Sequence, residues 1–161
     1  MEEMKGYAFT RTLDTSCENA ISKVTEALKQ EGFGVLTEID VKETLKKRLG
    51  VDFRKYTILG ACNPPYAHRT LQTDLEVGLL LPCNVTVHET DDQKTCVSAI
   101  NPVSALQVIK SREPLKIAEE VSEKLKKSVT KSLRADSKRP ENPSWKINES
   151  QSFEPRERGM Q

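Results

Sequence analysis

The stretch GACNPPYAHRTLQTDLEVGLLLPCN, residues 60–84, contains the features on which the fold and the candidate site depend. The apolar run YTILGA at residues 56–61, which overlaps the start of this stretch, predicts a short strand that ends at Cys62. Asn63 and two prolines then indicate a helix start, because asparagine can cap free amides and proline loses no hydrogen bond there. EVGLLLPCN predicts the next strand, with Pro82 at an edge, a bulge or a break. Both predicted strands therefore end on the same pair of residues, Cys-Asn.

On the N-terminal side of this stretch, strand and helix patterns alternate. YAFTRTL predicts a strand with Tyr7, Phe9 and Leu13 on one face. Thr15 and Glu18 have the spacing of a capping box, and a helical apolar repeat follows them as far as the GFG at residues 32–34. FGVLTEI predicts a second strand. A short helix over residues 41–49 is then expected between a cap at residue 40 and a glycine stop at residue 50.

On the C-terminal side, the sequence predicts a hairpin and a long amphipathic helix. VTVHE and TCVSAI alternate apolar and polar residues around the polar turn TDDQK. A short helix start at NPVSALQVI precedes EPLKIAEEVSEKLKKSVTKSL, which has helical periodicity. The apolar line of this last helix is formed by Ile117, Val121, Leu125 and Val129, with Ala118 and Leu133 beside it. Residues 132–161 lack periodicity and are predicted to be a disordered tail. Trp145 and Phe153 in this tail are expected to be incidental, and the alternative is a short docking segment.

Composition narrows the classes of function. The 161 residues suffice for one domain, and 25 Lys+Arg against 24 Asp+Glu give no basic excess. Balanced charge and 5% aromatic residues argue against nucleic-acid binding. The acidic N-terminus has no apolar run, and no stretch is long enough to cross a membrane, so a soluble cytoplasmic protein is expected. The four cysteines are then expected to be reduced.

The phrases GACNPP, AHR and GLLLPCN, set within residues 32–89, resemble the family called domain of unknown function 302. With flanking elements the resemblance extends over roughly residues 5–130. It implies one α+β domain over residues 1–131: an antiparallel sheet of about five to six strands backed by helices, in the TATA-box-binding-protein-like class. It also implies a homodimer. It assigns no activity, and the fold class does not imply DNA binding.

The two cysteines of the stretch have a structural and a functional interpretation. Cys62 precedes a helix start, where partial positive charge favours a thiolate, and His68 follows in the same helix. The alternative is a buried thiol that packs as a small hydrophobe. A zinc site built from Cys62, His68, Cys83 and His88 is conceivable, although the spacing is unusual. No cofactor is predicted.

The asparagines also have two interpretations. Asn63 is expected to cap a helix, and Asn84 to adopt a left-handed turn or to bond backbone at a bulge. In the functional alternative both amides face one pocket with Cys62 and Cys83, and Arg69 supplies a positive charge for an anionic group.

Three functions follow from these interpretations. The preferred one is a dimeric binding or sensing module with a pocket for a small polar or anionic ligand at the Cys-Asn strand ends. The second is a thiol- or metal-dependent redox protein or enzyme that uses Cys62. The third is an interaction module that recruits a partner through its C-terminal helix and tail.

Overall fold

A computed structural model describes residues 2–109, 112–130 and 133 of the chain. Its strands and helices alternate along the chain, and a 3-10 helix at Leu75–Leu80 precedes the fifth strand. The strands are β1 (Glu2–Lys5), β2 (Ala8–Leu13), β3 (Gly34–Asp40), β4 (Tyr56–Cys62), β5 (Cys83–Glu89) and β6 (Thr95–Ile100). The helices are α1 (Cys17–Gln30), α2 (Val41–Leu49), α3 (Pro64–Thr73), α4 (Pro102–Leu106) and α5 (Arg112–Thr130).

The six strands form one antiparallel sheet in the order β1-β2-β6-β5-β4-β3. Helices α1 and α5 pack against strands of this sheet. The α+β class, with an antiparallel sheet backed by helices, is therefore confirmed. β1 was not expected from the sequence, and it adds a sixth strand beside β2.

The main core lies between the sheet and the helices α1 and α5. Residues of one parity point into it, as expected for strands with one buried face. The sheet contributes Phe9, Leu13, Leu59, Ala61, Cys83, Val85, Val87, Val97 and Ala99. The helices contribute Ala20, Val24, Leu28, Ile117, Val121, Leu125 and Val129. The apolar line predicted for α5 is therefore buried, and Leu133 packs into the same core.

The helix ends predicted for α2 are confirmed, whereas the cap predicted for α1 is not. Asp40 Oδ1 accepts the backbone N–H of Glu43 at 2.9 Å, and Gly50 ends α2 with a φ of 67°. At α1 the predicted cap was wrong by one residue: Ser16 Oγ, and not Thr15, accepts the N–H of Asn19 at 3.2 Å. Tyr7 precedes β2 and is 64% exposed, so it does not join Phe9 and Leu13 in the core.

The strand predicted at EVGLLLPCN was wrong. Residues 75–80 form the 3-10 helix, in which Val77 alone is buried, while Leu75 is 80% and Leu79 is 82% exposed. Strand β5 begins only at Cys83, after Pro82, which has no N–H to donate to a sheet. Cys83 therefore begins a strand, whereas Cys62 ends one. Apart from Leu133, the predicted tail lies outside the described residues, so its disorder and the role of Trp145 stay predictions.

Candidate functional site

A cleft lies where β4 ends and β5 begins, between α3 and α5. Its water-accessible volume is about 40 Å³, which is room for a few water molecules or a small apolar group. Most of its walls are apolar, with Phe33, Pro82 and Val121 among them. Cys62, Asn63 and Cys83 all line this cleft.

Sheet pairing brings the two cysteines to the same place. β4 and β5 are antiparallel neighbours, and Ala61 pairs with Cys83 across them. Because one strand ends where its antiparallel neighbour begins, Cys62 and Cys83 come to the same end of the sheet. Asn63 follows Cys62 directly, and it stands at the N-cap position of α3.

The two thiols are not activated. Burial raises the pKa of Cys62, and burial together with the nearby Cys62 raises the pKa of Cys83 to about 11. This direction gives no support to the expectation that the start of α3 favours a thiolate at Cys62, because burial disfavours the charged form. Both cysteines line the cleft as neutral thiols at neutral pH.

Asn63 has a different structural role from the expected one. Its side chain makes no cap hydrogen bond to α3, although the residue occupies the N-cap position. Instead Nδ2 donates to the backbone oxygen of Glu31 at 3.3 Å, and the residue is only 8% exposed. A Cβ on Gly32, where φ is 86°, would lie 3.2 Å from the same Nδ2. The asparagine therefore ties the start of α3 to the turn after α1, and a glycine leaves it room.

The rim of the cleft carries an ionic group that the sequence did not reveal. Tyr66 lines the cleft, and the guanidinium of Arg69 lies 5.7 Å from the centre of its ring. Arg69 also pairs with Glu120 of α5, with 3.8 Å between Nη1 and Oε2. A hydrogen bond to Glu120 raises the pKa of Tyr66. Arg69 therefore stands near the cleft, but Glu120 offsets its positive charge.

Two of the residues considered from the sequence stay away from the cleft. His68 is exposed on α3, and Asn84 is exposed within β5, opposite Gly60. Asn84 has ordinary strand geometry, so the expected left-handed turn or bulge was wrong. Neither residue lines the cleft. The functional interpretation of these two side chains has no support from their positions.

The four residues of the conceivable zinc site do not converge. His88 lies five residues along β5 from Cys83, a distance of roughly 17 Å in an extended strand. Its ring stacks on Tyr56, with 5.2 Å between the centroids. Within the described part of the chain, no group of three or more His, Cys, Asp or Glu residues could hold a metal ion.

The comparison with protein families matches residues 9–132 to the domain of unknown function DUF302. The chain belongs to the DUF302 family. Among solved structures, it is similar to an uncharacterized conserved DUF302 protein from Bacillus stearothermophilus, at 31% sequence identity and a TM-score of 0.72. That match covers 78% of this chain and 97% of the other. No curated protein matches the chain.

The cleft belongs to the DUF302 domain, since all of its lining residues lie within residues 9–132. The family description names no activity, so only the chemistry of the cleft can suggest one. In the described ranges, no helix is both long and apolar enough to cross a membrane.

Proposed function

We propose that this DUF302 chain is a small binding or sensing module, acting as a homodimer, which holds a small ligand in the cleft. The observation that carries the proposal is the convergence of Cys62, Asn63 and Cys83 on one cleft. Ligand sites are usually concave and largely apolar, with a few polar groups that fix the orientation of the ligand. The cleft has this composition.

The walls of the cleft favour a ligand with an apolar end. Neutral thiols and apolar side chains offer little to a charged group, and the water-accessible volume of about 40 Å³ admits only a few heavy atoms. The polar or anionic part of the ligand is proposed to remain at the rim, near Tyr66 and Arg69. Because Glu120 already pairs with Arg69, an anion there would compete with a carboxylate.

Titration of short-chain carboxylic acids and alcohols, followed by amide NMR shifts, tests this proposal. Ala67 lines the cleft, so Ala67→Leu should fill it and abolish the shifts around Phe33 and Val121. Gln72→Leu is the matched control, because it adds the same side chain at an exposed position of the same helix. Equal binding by wild type and Ala67→Leu, or no shift at the cleft with any probe, would rule out the cleft as the site.

The two other functions suggested by the sequence gain less support. A redox protein or enzyme that uses Cys62 requires a reactive thiolate, and burial raises the pKa of this thiol. A module that recruits partners through its C-terminal helix requires a free apolar face, but that face of α5 packs in the core. Four free cysteines are consistent with the proposed cytoplasmic location.

A further inference from the structure

The segment that contains the edge strand β3, helix α2 and the loop after it carries many exposed apolar side chains. Nine large apolar residues are notably exposed in the described chain, and five of them fall between residues 36 and 53. These five, called the β3 patch below, are Leu36 (67% exposed), Ile39 (47%), Leu49 (68%), Val51 (45%) and Phe53 (42%). Exposed apolar groups so concentrated usually mark a surface that another molecule covers.

The strand beneath the patch has an unpaired edge. β3 pairs only with β4, and it is the last strand in the described sheet. A bulge between Val35 and Thr37 disturbs its first half, but Thr37–Asp40 pairs regularly with β4. The outer N–H and C=O groups of such an edge can pair with another strand unless charge, proline or a covering element prevents it.

Helix α2 also buries little within its own chain. Val41, Leu45 and Leu49 follow helical spacing and form one apolar line, yet no residue of α2 is buried. Helices in proteins gain most of their stability by packing such a line against a partner. Helix α2 contacts β3 and β4, yet Val41 and Leu45 stay only half-buried and Leu49 is exposed. The β3 patch, the free edge of β3 and the line on α2 therefore follow one another along the chain, and each leaves apolar or backbone groups without full cover.

We propose that a second copy of this chain docks on the β3 patch. Charge supports this occupant: residues 36–53 contain four acidic side chains (Glu38, Asp40, Glu43, Asp52) and four basic ones (Lys42, Lys46, Lys47, Arg48). A surface with balanced charge can face its own copy without net repulsion, whereas a strongly acidic or basic partner would gain little from it.

Geometry and size support the same occupant. Two identical edge strands that pair antiparallel are related by a two-fold axis, which is the commonest symmetry of protein dimers. The five side chains expose on the order of 500 Å² per copy, and a standard interface takes roughly 800 Å² per partner. The edge of β3 and the line on α2 supply further area. The β3 patch is then the interface of the homodimer in the proposed function, on which this proposal rests.

Sedimentation equilibrium over a range of protein concentrations tests the proposal. Wild type should dimerise, and the double variant Ile39→Lys, Phe53→Lys should dissociate at least about tenfold more readily. Leu75→Lys, Leu79→Lys is the control, because it places two lysines at apolar positions outside the patch that are even more exposed. Circular dichroism spectra identical to wild type should show that each variant folds.

Three outcomes would overturn the proposal: a monomeric wild type, a dimer that withstands the patch variant, or a dimer equally weakened by the control. Amide hydrogen exchange provides a second readout. The amides of residues 37–40 should become more protected as the concentration of wild type rises, and those of the patch variant should not. Failure here is distinguishable from failure of the ligand proposal, because cleft titrations of the monomeric patch variant should still show the shifts.

Discussion

Asn63 Nδ2 donates a hydrogen bond to the backbone oxygen of Glu31, across 3.3 Å and 32 residues of sequence. The bond joins the start of α3 to the turn that follows α1, next to the cleft. It makes Asn63 a tether between two elements and not the cap of one. The distinction can be tested, because the two roles tolerate different substitutions.

Asn63→Ser separates the two roles. Serine caps helices about as well as asparagine, so a capping role predicts little change in the free energy of unfolding. A tether should lose about 1 kcal/mol, because serine is too short to reach the carbonyl of Glu31. Chemical denaturation measures the difference. Asp40→Ser is the control: Asp40 does cap its helix, so this variant should stay within about 0.5 kcal/mol of wild type.

Gly60→Ala is expected to destabilise the fold. A Cβ at this position would overlap Thr37 Oγ1 and lie 2.8 Å from Pro82 Cγ. The resulting shift of β3 or Pro82 should cost about 1–3 kcal/mol of unfolding free energy. Gly34→Ala is the matched control on the neighbouring strand, since a Cβ there meets no atom within 4 Å. If both variants unfold at the same denaturant concentration, the packing described at Gly60 is wrong.

The cleft thiols should react slowly with alkylating reagents at neutral pH. With a pKa of about 11, on the order of one Cys83 in 10,000 is ionised near pH 7. Its labelling rate should rise about tenfold for each pH unit up to that range. Mass spectrometry of labelled peptides over time measures the rates, and protein in guanidinium gives the reference. Rapid labelling of Cys62 at neutral pH would revive the redox interpretation.

His88 should make folding sensitive to mild acid. Burial, and then the charge of Arg54, lowers the pKa of His88 below its ordinary value. The fold therefore favours the neutral ring, so its contribution to stability is present above the ordinary pKa near 6.5 and is lost as pH falls below it. His88→Phe retains an aromatic ring to stack on Tyr56, and it should lose less stability than wild type between about pH 7.5 and pH 5.5.

Urea denaturation at the two pH values measures this effect. His68→Phe is the matched control, since it removes the other histidine from an exposed helix position. If His88→Phe and wild type lose stability in parallel, protonation of His88 does not contribute.

The sequence predicted what is decided locally. Periodicity and helix-end residues gave α2 with its cap at Asp40 and its stop at Gly50, as well as the buried line of α5. The run LEVGLL was wrongly predicted as a strand, because an apolar stretch without alternation does not distinguish a strand from a 3-10 helix. Whether Leu75 and Leu79 are buried depends on elements far away in the chain.

The site was predictable only in part, for the same reason. Antiparallel pairing of β4 and β5 brings Cys62 and Cys83 together, and both strands left a signal in the sequence. The partners that define the other groups are distant: Glu31 for Asn63, and Glu120 for Tyr66 and Arg69. No local sequence pattern predicts these contacts, because they form only when α3 packs against α5 and against the turn that follows α1.

The pairing of β2 with β6 limits how early in synthesis the domain can complete its fold. Residues 8–13 can pair with residues 95–100 only after the latter have been synthesised. Helix α5, at residues 112–130, then completes the core. During synthesis β3, β4 and β5 can pair early, whereas β2 can pair early only with β1 and joins the rest of the sheet when β6 has emerged. Pairing between strands so far apart in the sequence is slow. A chain whose synthesis stops early would expose unpaired strand edges and apolar surface, which promote aggregation with other chains. The strand β2 is therefore synthesised before the other core strands but is the last of them to pair within the core.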